Sequence, residues 1–148
     1  MPDVVNRPTA HRRPVVGWAA DLYGRTALAM SAELTRRYST SFTLGIRTLA
    51  PAYRTPVYGI YGFVRLADEI VDTFHAHDKA ALLADFTAHT RTAIAEGLSL
   101  NPVLHAFQLV VNRYGIEAEL IDAFLHSMAL DLDEGRAYDQ ALYERYIY

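Results

Sequence analysis

Beyond about residue 18, apolar residues recur at helical spacing, and no stretch alternates at period two with β-branched residues. That pattern predicts no strand. The expected class is all-α, with antiparallel helices joined by short loops. At 148 residues and 51% hydrophobic content, the chain can close one core.

Caps and breakers divide the pattern into helices. The first is expected from about Ala19 to Arg37, and YSTSF interrupts it. Ser39, Thr40 and Ser41 are N-cap residue types, so a short helix through Phe42 to Leu49 should start there. Pro56 suits the first turn of a long helix reaching Phe74. After the turn HAHDK, Asp78 caps a helix that runs to Glu96 and stops at Gly97. Asn101 and Pro102 open another to Tyr114, ended by Gly115. A helix from Glu117 to Glu134 should stop at Gly135, and Asp139 should open a last segment, ALYERYIY. That segment has helical spacing with no stop signal, so the sequence is expected to end inside a helix, either frayed or continued by further chain.

Several function classes are disfavoured. A net charge of -3 gives no basic footprint for nucleic acid. With no cysteine there is no disulfide, thiol catalysis or thiolate zinc site, which fits a cytoplasmic protein. Residues 1–17 hold Pro2, Pro8 and Pro14 among polar residues and lack an apolar signal core; they read as a flexible leader to one domain over 18–148. No run reaches the roughly 18 apolar residues of a membrane span.

The segment RLADEIVDTF breaks the helix rules. On a wheel, Tyr61, Arg65, Asp68 and Asp72 fall within about 60° of one another, with Glu69 at the edge. Ile60, Phe63, Leu66, Ala67, Ile70, Val71 and Phe74 cover most of the remaining circumference. Gly59 and Gly62 would let a neighbouring helix come close. A narrow acidic stripe in an apolar body suits a cavity wall. Two carboxylates one turn apart suit magnesium, which takes one or two carboxylates plus substrate phosphates. Arg65, a turn earlier, could hold a diphosphate oxygen. The bland alternative is a solvated salt-bridge helix, with Arg65 paired to Asp68 or Glu69. His75 and His77 form an HxH pair without further zinc ligands, and His89, His105 and His126 read as structural.

Together, YSTSF and VYGIYGFVRLADEIVD resemble the squalene and phytoene synthase family of head-to-head prenyl synthases. The family's Ser-x-Ser-Phe corresponds to Ser39, Ser41 and Phe42. Its Tyr-x-x-x-Arg-x-x-Asp-Asp/Glu-x-x-Asp corresponds to Tyr61, Arg65, Asp68, Glu69 and Asp72. SMALDLDEGRAYDQALYERYIY resembles the family segment that places Tyr146 at an active-site tyrosine. The likeness is to bacterial phytoene synthases above all.

The resemblance implies the first half of an all-α isoprenoid synthase bundle. It implies condensation of two geranylgeranyl diphosphates to phytoene, through a cyclopropyl diphosphate, in carotenoid biosynthesis. The rivals are squalene or dehydrosqualene synthesis from farnesyl diphosphate, with NADPH needed for squalene, and a non-catalytic subunit that binds prenyl diphosphate. Asp68 and Asp72, supported by Glu69, would hold Mg2+, with Mn2+ as a substitute. Tyr38, Ser39, Thr40, Ser41, Phe42, Tyr61 and Arg65 would meet substrate. Arg65 and Tyr146 would assist the chemistry. An apolar product implies peripheral membrane association. The family's second aspartate motif is missing, so a C-terminal half or partner chain would have to supply it.

Overall fold

The computed structural model describes residues 21–147, and the backbone alone for 136–144, 146 and 147. The leader expected over residues 1–17 lies outside the described residues. Six helices follow in order: α1 (Leu22–Tyr38), α2 (Thr40–Arg47), α3 (Pro51–Asp72), α4 (Lys79–Glu96), α5 (Pro102–Tyr114) and α6 (Ala118–Ile147). No strand occurs among the described residues.

Side chains set most of the boundaries. The Asp21 carboxylate accepts from the Gly24 N–H and starts α1. Ser39 serves two helices: its N–H donates to the Thr35 carbonyl at 2.9 Å, and its hydroxyl accepts from the Phe42 N–H at 3.0 Å. Asp78 and Asn101 cap α4 and α5 as the sequence predicts. Gly97 and Gly115, at φ 69° and 63°, end them in the left-handed conformation.

Two boundaries differ from expectation. Helix α3 begins at Pro51, so Pro56 lies inside it and is buried. Pro51 takes the N-terminal position where a missing N–H is harmless, and Pro56 forfeits one bond in the second turn. Gly135 does not stop α6, which continues through Asp139 to Ile147. A glycine ends a helix only when it turns left-handed, and Gly135 has no positive φ. The good helix formers Arg136 and Ala137 follow it.

Phe63 of α3 is the hub of the core. Its ring stacks on Phe107 of α5 at 3.8 Å and on Phe86 of α4 at 5.3 Å, and meets Phe124 of α6 at 5.6 Å. Each such pair is worth about 0.5–1.5 kcal/mol beyond area burial. The two α3 glycines provide close approach on the other side. A Cβ at Gly59 would lie 2.9 Å from Val110 Cγ2, and one at Gly62 would lie 2.9 Å from Ser31 Cβ. Leu28 therefore meets Gly59, Ser31 meets Gly62, and Tyr38 meets Arg65. Along that contact α1 and α3 run in the same direction, because α2 carries the chain back between them. Helices α3 and α4 are antiparallel, with Val71 beside Lys79 and Phe63 beside Phe86. This packing fixes which face of α3 is left for other work.

Candidate functional site

The free face of α3 carries Tyr61, Arg65, Asp68, Glu69 and Asp72, while Phe63, Ala67 and Ile70 are buried on the other side. Two short elements complete the wall. The Ser39 corner returns the chain so that Phe42 stacks on Tyr61, with centroids 4.4 Å apart and planes 24° apart. The Arg65 guanidinium lies over the Tyr38 ring at 4.6 Å. Tyr38, Ser39, Phe42, Tyr61 and Arg65 thus come together. Thr40 and Ser41 are exposed in the first turn of α2. The side chain of Tyr146 lies outside the described residues.

Arg65 forms an ion pair with Glu69, and its Nη1 stands 4.0 Å from Asp68 Oδ2. The pair is partly buried: the side chains are 25% and 14% exposed. Its hydrogen bond holds the Glu69 carboxyl below the usual range and raises Arg65. Arg65 Nε is buried and has no hydrogen-bond partner.

Asp68 behaves differently. Burial pushes its carboxyl up; Arg65 opposes the shift, and the charges of Asp72, Asp131 and Glu69 add to it. Asp131 belongs to α6. It is exposed, but it lies near enough to act on Asp68, and it lines a cavity of about 410 Å³ with Asp72, His75, His77 and Lys79. A signal was available: Asp131 follows Phe124 and Met128 on the stripe of α6 that packs on the core.

Among the described residues, no three His, Asp or Glu side chains gather closely enough to hold a metal by themselves. The donor set still fits a magnesium ion shared with phosphates. Two hard oxygen donors stand one turn apart, and the surrounding carboxylates leave negative charge unmatched. Glu69 is occupied by Arg65.

The profile of the family described as "Squalene/phytoene synthase" matches residues 35–148, which includes this whole wall. The chain belongs to that family. Phytoene synthase of Rhodobacter capsulatus is 36% identical over 107 residues, covering 72% of this chain and 31% of the relative. This member therefore spans about a third of the length of the curated relative it matches. No solved structure matches it. Among its described residues, no helix is long and apolar enough to cross a membrane.

Proposed function

We propose that this family member supplies the first diphosphate site of a prenyltransferase that joins two geranylgeranyl diphosphates head to head into phytoene. The observation that carries the proposal is the α3 face. It sets a clamped arginine and the carboxylates Asp68 and Asp72, one turn apart, beside the Phe42–Tyr61 stack. The likeness to a phytoene synthase supports the choice of product.

Asp68 and Asp72 would hold the magnesium. Bound there, it would supply Lewis-acid assistance to a departing diphosphate. Arg65 would donate to the diphosphate oxygens, joined by the hydroxyls of Ser39, Thr40 and Ser41. The Ser39 oxygen already accepts from Phe42, so its hydrogen is the part free to donate. Phe42, Tyr61 and Tyr38 would wall the allylic cation from water, which would quench it. Tyr146 would take or steer the proton lost on cyclopropane closure. Because the chain spans a third of its relative, the remaining magnesium and diphosphate ligands would come from residues outside it, in the same polypeptide or a partner chain. The apolar product would leave through a membrane surface.

The family description also covers squalene synthases, so farnesyl diphosphate is the rival substrate, with NADPH as the reductant for squalene. The test is to supply the complete gene product with Mg2+ and either diphosphate and to identify the hydrocarbon by mass spectrometry. A forty-carbon product from geranylgeranyl diphosphate is expected. A thirty-carbon product from farnesyl diphosphate alone moves the assignment to the rival. No hydrocarbon from either removes the transferase assignment.

A further inference from the structure

A carboxylate already shared with a guanidinium has less charge to offer a cation than a free one. On the acidic face of α3, that distinction separates Glu69 from Asp68 and Asp72. We propose that Glu69 is a positioning residue for Arg65 rather than a metal ligand, with the Tyr38 ring as the second wall of the same clamp. The inference rests on the diphosphate-site assignment above and gives three acidic residues of one motif two different tasks.

The geometry is specific. Glu69 follows Arg65 at i+4, the spacing at which helix side chains meet. The Glu69 side chain is the less exposed of the pair, at 14%, so its carboxylate is held in place by packing as well as by charge. Below the guanidinium, the Tyr38 ring at 4.6 Å provides a cation–π floor. Asp68 stands farther off, at 4.0 Å from Nη1.

The clamp leaves Arg65 Nε buried without an acceptor. A long arginine loses rotamer freedom when it is fixed. Ring and carboxylate hold it beforehand, so the arginine meets its anion without first being ordered.

The test compares Glu69→Gln, Asp68→Asn and Asp72→Asn in the complete gene product, with Mn2+ as the probe. Electron paramagnetic resonance reads Mn2+ affinity, and nitrogen NMR reads rotation of the Arg65 guanidinium. Glu69→Gln is expected to keep Mn2+ affinity within about twofold, while each aspartate variant loses at least about tenfold. In Glu69→Gln the guanidinium rotation should speed up, and kcat should fall by about tenfold to a hundredfold with little change in KM. A loss of Mn2+ affinity equal to that of Asp68→Asn would overturn the proposal, as would an unchanged guanidinium rotation. If neither aspartate variant changes Mn2+ affinity, the metal-site assignment fails, and the metal-free NMR readout still decides the clamp.

Discussion

Around His105 the enclosed polar groups have partners; around Asp68, Arg65 attracts, while burial and neighbouring carboxylates disfavour the charge. His105 is 4% exposed, and its Nδ1 accepts from the Ser99 N–H at 3.2 Å. The amide of Gln108 lies 3.4 Å from the same nitrogen, and its oxygen accepts from Asn112 at 2.9 Å. Asn112 also donates to the Ile94 carbonyl, and the Tyr23 hydroxyl donates to the Ser99 carbonyl. This cluster ties α1, α4 and α5 together. Among the described residues, the buried side-chain atoms left without a partner, Ser31 Oγ and Arg65 Nε, are not in it. At the other end of the molecule, Asp68 is pushed up by burial, against the opposing pull of Arg65 and with added repulsion from Asp72 and Asp131. A satisfied polar cluster stabilises the native packing, whereas an unsatisfied one costs stability and points to a ligand.

The strongest way to break this comparison is at Gln108. Gln108→Ala should cost about 3 kcal/mol, because it opens a cavity and strips partners from His105 and Asn112. Urea unfolding reads the loss, and a cost like that of a surface change would mean that the cluster does not stabilise the fold.

Next comes pH. Burial lowers the pKa of His105, partly opposed by Asp21, the one charge that acts on it among the described residues. The neighbouring Tyr23 ring lies 4.4 Å away. Protonation would set an Nδ1–H against the Ser99 N–H. The contribution of His105 is therefore full above its ordinary value of about 6.5 and is lost as pH falls toward the lowered one. Stability should drop by up to about 1.4 kcal/mol per pH unit in that window. His105→Asn, whose side-chain oxygen can accept from Ser99, should flatten that slope. Melting curves of both proteins from pH 7.5 to pH 5 check the difference.

Tyr23→Phe removes one hydrogen bond and keeps the ring on His105, so a loss of about 1 kcal/mol is expected in the same unfolding assay. The smallest effect lies at the acidic end. Asp131→Asn should change stability by no more than about 0.5 kcal/mol. It should also let Asp68 titrate closer to its ordinary value, as read by carbonyl NMR. An unchanged Asp68 titration would remove Asp131 from the site.

Local chemistry made most of the fold legible. Asp78, Gly97, Asn101 and Gly115 act through their own side chains or their own φ, and helices α4 and α5 start and stop where those residues demand. Pro56 and Gly135 misled because neither is decisive alone: one needs a first-turn position, the other a left-handed backbone. Register also made the polar wall of α3 legible, down to the glycines that admit α1 and α5. Two things were hidden. The sharing of Arg65 between Glu69 and Tyr38 depends on rotamers, and Tyr38 reaches Arg65 only because Ser39 turns the chain there. Asp131 lies on α6, far along the sequence, and its approach to Asp68 follows from how that helix packs on Phe63.

The central claim is that the acidic end is kept for a ligand at some cost to the fold. The direct test is a thermal melt of the complete gene product and its Asp68→Asn variant near pH 7, with and without Mg2+ and inorganic pyrophosphate. Without ligand, the variant should melt at or above the wild type, because the raised carboxyl of Asp68 is disfavoured when ionised. With ligand at about a hundred times Kd, the wild type should gain about 2.7 kcal/mol and the variant little. A variant that melts lower without ligand, yet gains as much as the wild type with it, would contradict the claim.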